Sequence, residues 1–201
     1  MKRIIRAVVM ALLLAPGMLW ADDLRQIFNA GADAYKAGDY ETAYEIWRPL
    51  AYLGVVPAQS VLGLMYSRGQ GVAQDYAEAA RWWRLAAEQG DAEAQFLLGA
   101  MYDLGQGVPQ DYAEAARWYR LSAEQGFAQA QLLLGVMYHQ GNSVIQDYST
   151  AYMWYNIAAS KGISDAVHGR DVIADRMTPE AIAEAQRRAR ICIESGYQDC
   201  D

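Results

Sequence analysis

Residues 75–82 read Asp-Tyr-Ala-Glu-Ala-Ala-Arg-Trp, and residues 111–118 repeat the same eight residues without a change. The match extends outward, because 25 of the 36 positions in 75–110 recur in 111–146. Asp-Tyr also occurs at 39–40 and 147–148, so the step between copies is always 36 residues. A constant period of this length is typical of stacked, identical supersecondary units.

Each 36-residue unit contains two helix patterns. Tyr76, Ala79, Ala80 and Trp83 follow the i, i+3, i+4, i+7 spacing of an apolar helix face, and a second such pattern covers 94–102. Glycine recurs inside the second pattern, at 63, 99 and 135, where we expect a neighbouring helix to pass too close for a Cβ. We predict an all-α fold, an α-solenoid of about five antiparallel helix pairs: 24–54, 57–90, 93–126, 129–162 and 165–195.

The composition excludes several function classes. The chain is 53% hydrophobic and 20% charged, which is not the composition of a disordered chain. Its formal charge is −7, and no basic stripe is present to neutralise phosphates, so we expect no nucleic-acid partner.

The first 21 residues have the layout of a secretory signal peptide. Three cations at positions 2, 3 and 6 precede an apolar run, 7–14, and Pro16-Gly17 interrupts it. We predict cleavage after Ala21 and a periplasmic or secreted protein that does not span a membrane after cleavage. The alternative is that the segment is kept as an uncleaved membrane anchor.

The chain has two cysteines, Cys192 and Cys200, both near its C-terminal end. In an oxidising compartment they can form a disulfide that pins the chain end to the last helix. The alternative is a reactive or metal-binding pair, although no histidine lies near them in the sequence.

A longer motif carries a resemblance to a known family. It runs Ala94-Gln95-x-x-Leu98-Gly99-x-x-Tyr102, Gly105-x-Gly107-Val108-Pro109-Gln110-Asp111-Tyr112 and Ala115-x-x-Trp118-Tyr119-x-x-x-Ala123-Glu124-Gln125-Gly126. This pattern resembles the Sel1-like repeat, a 36-residue relative of the tetratricopeptide repeat. The last unit departs from it, since Asp171 occupies the glycine position and the Gly-rich loop is missing.

The resemblance implies a domain organisation and a class of function. The expected parts are a signal peptide (1–21), an N-terminal tetratricopeptide-like capping unit (22–56), three Sel1-like repeats (57–164) and a C-terminal capping helix pair with the disulfide (165–201). The family implies an exported scaffold or adaptor for protein–protein interaction that could regulate an envelope process. The alternatives are a cell-wall or glycan-associated structural protein, or an enzyme such as a β-lactam-acting hydrolase.

The sequence offers no motif for catalysis, metal binding or a cofactor. The two histidines, His139 and His168, have no metal-ligand spacing, and no nucleophile or P-loop motif is present. We therefore expect no catalytic residue, no metal, no cofactor and no enzyme activity.

The aromatic pairs 82–83, 118–119 and 154–155 are interpreted as core, with one member of each pair only partly buried. Exposed members would suit the glycan-binding alternative.

The predicted binding residues lie on the first helix of each pair. If the pairs stack as in tetratricopeptide arrays, this helix lines the concave face of the solenoid. The predicted partner-binding residues are Ser67, Arg68, Phe96, Ala100, Asp103, Leu132, Val136, His139 and Gln140. Phe96 and Leu132 are repeat equivalents of Ser60 and are predicted to be apolar anchors, with Arg68 and Gln140 as polar contacts. The alternative is that Phe96 and Leu132 merely pack against the next repeat.

Overall fold

The computed structural model describes residues 21–142 and 144–200, and these residues form ten α-helices and no strand. The helices are α1 (Ala21–Lys36), α2 (Tyr40–Tyr52), α3 (Val56–Arg68), α4 (Tyr76–Glu88), α5 (Ala92–Leu104), α6 (Tyr112–Ala123), α7 (Ala128–Gln140), α8 (Tyr148–Ser160), α9 (Ser164–Ala174) and α10 (Pro179–Glu194). None of these ten helices is long and apolar enough to cross a bilayer. Apart from Ala21, the predicted signal peptide lies outside the described residues.

The recurring Asp-Tyr pairs mark helix starts. Asp39, Asp75, Asp111 and Asp147 are the N-cap residues of α2, α4, α6 and α8, and each carboxylate accepts hydrogen bonds from backbone N–H groups of the first turn. These bonds satisfy donors that the helix itself cannot pair.

The glycines between the helices of neighbouring repeats mark helix ends. The backbone is left-handed at these positions, since φ is +85°, +91°, +84° and +86° at Gly54, Gly90, Gly126 and Gly162. A residue with a Cβ rarely adopts this conformation, so glycine is the residue that ends each unit at low cost.

The chain divides into two compact units, Met1–Gln89 and Gly90–Asp201. In the first unit, α1 packs on α2, α2 on α3 and α3 on α4. In the second unit, α5 packs on α6, α6 on α7 and α7 on α8, while α9 and α10 both pack on α8. The predicted all-α architecture of consecutive packed helix pairs is confirmed.

A glycine and an aromatic ring interlock inside each of the first four helix pairs. A Cβ added at Gly99 of α5 would lie 2.8 Å from Cδ1 of Tyr119 in α6, too close for any real contact. The same holds in three further pairs: Gly31 with Trp47, Gly63 with Trp83, and Gly135 with Tyr155. The sequence predicted a close helix at Gly63, Gly99 and Gly135, and the structure shows that the close group is an aromatic ring of that helix.

The predicted disulfide joins Cys192 of α10 to Cys200 across a separation of eight residues. Both cysteines are buried, and both belong to the core cluster that includes Ala189, Tyr119 and Trp154. The disulfide therefore ties the end of the chain to the core of the second unit.

Candidate binding face

The second unit carries seven of the nine predicted binding residues on two helices, α5 and α7. We call these residues the α5–α7 face: Phe96, Ala100, Asp103, Leu132, Val136, His139 and Gln140. Gln140 is exposed, and the other six are half-buried. Phe96 and Ala100 pack at the edge of the core cluster that contains Tyr119, whereas Leu132 and Val136 pack on the cluster that contains Tyr155. The structure thus places the seven residues over two adjoining clusters.

Phe96 is an aromatic side chain that is only partly covered. Its ring centroid lies 5.8 Å from that of Tyr119 in the paired helix and 5.1 Å from that of Phe127, the residue before α7. These tilted ring contacts hold Phe96 in place, and Phe127 is the N-cap residue of α7 in the next helix pair, as the packing alternative expects. The half-buried ring still presents part of its surface to solvent.

Tyr119 connects the core to this face. Because Gly99 has no side chain, the Tyr119 ring crosses α5, and its hydroxyl donates to Oδ2 of Asp103 at 3.5 Å. Burial, followed by the negative charge of Asp103, raises the pKa of Tyr119 well above that of a free tyrosine. Tyr119 is therefore a neutral hydrogen-bond donor at physiological pH.

Tyr155 makes the equivalent contact one repeat later. Its hydroxyl lies 3.4 Å from Nδ1 of His139, which occupies the position of Asp103. Burial raises the pKa of Tyr155 to about 12. The His139 ring also lies edge-on to Tyr148, whose hydroxyl accepts from Arg176 at 3.2 Å. The face thus presents a carboxylate in one repeat and an imidazole in the next.

The other two predicted residues, Ser67 and Arg68, lie in the first unit at the end of α3. The Ser67 hydroxyl donates to the Leu64 carbonyl at 2.9 Å, and Arg68 is exposed. In this helix pair the interlocking ring is Trp83, whose Nε1 donates to the Ser60 carbonyl at 3.1 Å.

The tyrosine hydroxyl contacts to Asp103 and His139 were not predicted from the sequence. The signal was present, since Trp83 is replaced by Tyr119 and Tyr155 at the same position of the next two repeats. A tyrosine at this position ends in a hydroxyl that can hydrogen-bond a side chain of the facing helix.

The prediction that one member of each aromatic pair is only partly buried is wrong. The exposed fractions are 2%, 4%, 5%, 1%, 1% and 2% for Trp82, Trp83, Trp118, Tyr119, Trp154 and Tyr155. The second member is buried because the glycine on the facing helix makes room for its ring. The glycan-binding alternative relied on exposure of these rings and loses that support.

Charged side chains on the helix surfaces pair with one another. Arg117 bonds Glu114 at 3.1 Å and its guanidinium lies 4.0 Å from the ring of Trp118, and Arg81 repeats the arrangement with Glu78. Over 21–142 and 144–200, no group of three or more histidine, cysteine or acidic side chains is arranged to hold a metal ion.

Comparison with known proteins identifies the repeats. The Sel1 repeat family model matches three consecutive segments, 56–91, 92–127 and 128–163. Two solved structures are similar to this chain. One is a protective antigen of uropathogenic Escherichia coli strains that displays an SLR fold, with 36% identity, a TM-score of 0.72 and coverage of 79% of this chain. The other is a Sel1 repeat protein from Oxalobacter formigenes, with 35% identity, a TM-score of 0.69 and coverage of 73%.

The matched regions are 37% of the E. coli protein and 60% of the O. formigenes protein, so the chain spans only part of either relative. No curated protein matches the chain.

Proposed function

The chain belongs to the Sel1 repeat family, and from that premise we propose that it is an exported, non-catalytic scaffold that binds a protein or an extended peptide on the α5–α7 face. Sel1 repeats generally mediate protein interactions, and the proposal adds which face of this chain is used and in which compartment.

One observation carries the choice of face. Helices α5 and α7 have the same buried residues and differ at five positions, none of which is buried. The five pairs are Glu93 and Gln129, Phe96 and Leu132, Ala100 and Val136, Asp103 and His139, and Leu104 and Gln140. The sequence therefore changes only where the two helices are not buried, and these positions combine apolar side chains with a carboxylate and an imidazole.

The chemistry of the face suits a peptide-like partner. Phe96 and Leu132 supply apolar anchors at one repeat position, and Asp103, His139 and Gln140 supply hydrogen-bonding groups seven or eight residues further along the same helices. Partly buried anchors with a polar rim are how interfaces concentrate their binding energy. Because Phe127 and Tyr119 hold the Phe96 ring, little side-chain entropy is lost when a partner covers it.

Export is supported by the signal-like residues 1–21 and by the disulfide, because stable disulfides are typical of oxidising compartments such as the periplasm. The similar E. coli protein is a protective antigen, which is consistent with a location outside the cytoplasm. Cell fractionation of the tagged full chain tests this part, and recovery of full-length protein only in the cytoplasm would contradict it.

The binding face is tested by crosslinking the tagged protein in its own cells, followed by mass spectrometry. We expect one dominant protein with the wild type and its loss in the variant Phe96→Ala, Leu132→Ala. The matched control is Ile145→Ala, which removes an apolar side chain that is 90% exposed in the α7–α8 loop and is not part of the face. Equal capture by both variants and the wild type would show that the partner binds elsewhere.

A further inference from the structure

We propose that the redox state of the Cys192–Cys200 disulfide determines whether the Lys161 ammonium binds Tyr197 or Gln131. We call the disulfide together with Tyr197 the clasp: it is closed when the disulfide is formed and Lys161 contacts Tyr197, and open when the disulfide is reduced. The proposal concerns the C-terminal end of the second unit and does not depend on the binding face.

A buried glutamine pair links the start and end of a repeat. Gln59 of α3 donates to the Ala51 carbonyl at 3.1 Å, and its Oε1 accepts from Nε2 of Gln89 at 2.7 Å. One repeat later, Oε1 of Gln95 accepts from Nε2 of Gln125 at 2.8 Å. In both repeats the buried amide oxygen is satisfied by a glutamine thirty residues later.

The third repeat lacks this bond. Gln131 is fully buried and donates to the Ala123 carbonyl at 3.0 Å, but its Oε1 has no hydrogen-bond partner. The residue thirty positions later is Lys161. A buried acceptor without a partner destabilises the state that contains it.

Backbone geometry does not keep Lys161 away from Gln131. Gln89 and Lys161 are the C-cap residues of α4 and α8, with φ, ψ of −89°, 5° and −96°, 8°. Their side chains therefore leave the backbone in the same direction, and the lysine side chain is one bond longer. Lys161 has the reach to donate to Oε1 of Gln131, as Gln89 does to Gln59.

Lys161 instead binds the C-terminal segment. Its Nζ lies 4.4 Å from the ring centroid of Tyr197 and donates a hydrogen bond to the Gly126 carbonyl. Tyr197 also covers Gly126, because a Cβ there would lie 2.8 Å from Cε2 of the ring. Nothing lies within 4 Å of such an atom at the equivalent glycines 54, 90 and 162.

The disulfide holds Tyr197 in this position. Tyr197 has φ +69° and is the one non-glycine residue with positive φ among 21–142 and 144–200. Its N–H donates to the Cys192 carbonyl at 2.7 Å. The left-handed conformation is unfavourable for a residue with a Cβ, and it persists where the surrounding structure holds both ends. Here α10 holds one end, and the bond to Cys200 holds the other.

Reduction by a dithiol opens the clasp. A thiolate of the reductant attacks Sγ of Cys200, which is 7% exposed whereas Cys192 is fully buried. The Cys192 sulfur leaves as a thiolate and takes up a proton. The second thiol of the reductant then displaces Cys200 as a thiol, and the reductant becomes a disulfide, so two electrons and two protons are transferred. Tyr197 is released, and Lys161 moves to Gln131.

The lysine content of the chain makes the exchange directly observable. Lysine occurs only at positions 2, 36 and 161, so protein labelled with ¹³C-lysine gives few signals, and Lys36 is an internal reference. In the oxidised protein we expect the Lys161 ε-methylene signal to be shifted upfield by the Tyr197 ring. Reduction should abolish the upfield shift, as should Tyr197→Leu in the oxidised protein. An unchanged Lys161 signal after complete reduction, verified by thiol titration, would overturn the proposal.

The disulfide–dithiol equilibrium tests Gln131 as the second partner. Tyr197→Leu removes the contact of the closed clasp and should make the disulfide about two- to fivefold easier to reduce. Gln131→Leu removes the contact of the open clasp and should make it about two- to tenfold harder to reduce. The matched control is Gln95→Leu, the same change one repeat earlier, where Gln125 is already the partner. Equal effects of Gln131→Leu and Gln95→Leu, or a wild-type equilibrium for Tyr197→Leu, would overturn the proposal.

Discussion

The helix pair α3/α4 of the first unit and the pair α5/α6 of the second unit share a fold and differ in what their interlocking ring does. In α3/α4 the Trp83 indole fills the space above Gly63 and donates to a backbone carbonyl. In α5/α6 the Tyr119 ring fills the space above Gly99, and its hydroxyl reaches the Asp103 carboxylate. One core position thus contacts only the core and the backbone of the facing helix in the first pair, and in the second pair it also hydrogen-bonds a half-buried carboxylate.

The largest expected effect on stability comes from removing the buried interlocking ring, which both helix pairs contain. Tyr119→Ala and Trp83→Ala each remove a buried ring and should lower the free energy of unfolding by about 3–5 kcal/mol. Urea denaturation followed by circular dichroism measures both. A loss below about 1 kcal/mol for either variant would show that its ring does not fill the core.

The next largest effect tests the close contact between Gly99 and the Tyr119 ring. Gly99→Ala should lower the free energy of unfolding by about 1–3 kcal/mol, because the new methyl group overlaps the Tyr119 ring. In a Tyr119→Ala background the same change should stabilise the protein by about 1 kcal/mol, since alanine is the better helix former. The four proteins form a double-mutant cycle, and the same sign in both backgrounds would contradict the interlock.

Stability at alkaline pH distinguishes a tyrosine from a tryptophan at the position of the interlocking ring, which is Trp83 in one helix pair and Tyr155 in another. The pKa of Tyr155 is raised from 10.0 to about 12 in the folded protein, so the folded state keeps the proton to higher pH than the unfolded chain. This contribution to stability is complete below pH 10 and is lost as pH rises from 10 to 12.

Tyr155→Phe should therefore reduce the fall in unfolding free energy across pH 10–12 by as much as roughly 2 kcal/mol. Denaturation curves at several pH values measure the difference from the wild type. Trp83→Phe is the control in a position that does not titrate, and identical pH profiles for the wild type and Tyr155→Phe would contradict the assignment.

The smallest expected effect is the loss of the hydrogen bond that the Tyr119 hydroxyl donates to Asp103. Tyr119→Phe keeps the ring and removes the bond to Asp103, which should cost about 0.5–1.5 kcal/mol of unfolding free energy. Asp103→Asn provides the comparison, since it keeps an acceptor for the hydroxyl. If Tyr119→Phe is as stable as the wild type, the contact does not stabilise the fold.

Much of the fold could be predicted because the signals are local and repeated. The N-cap aspartates, the terminal glycines and the apolar spacing each act within one or two helical turns, so they identified helices and their ends. The disulfide could also be predicted, since Cys192 and Cys200 are eight residues apart and no other cysteine competes.

The rest depended on contacts between residues distant in sequence. Burial of both aromatic residues of each pair follows from a glycine on the facing helix, whose partner the apolar pattern alone does not identify. Tyr197 lies on Gly126 across seventy residues of chain, in a segment that no repeat position describes. The direction of the Tyr119 hydroxyl toward Asp103 likewise required the three-dimensional packing.

The proposed binding face assigns residue 96 of the second unit to partner binding, whereas its equivalent in the first unit, residue 60, serves the fold. A photo-crosslinking amino acid placed at position 96, and in a second protein at position 60, tests this most directly in living cells. We expect a crosslinked protein partner from position 96 and none from position 60. Crosslinks from position 60 alone, or from neither position while the partner is captured by other means, would contradict it.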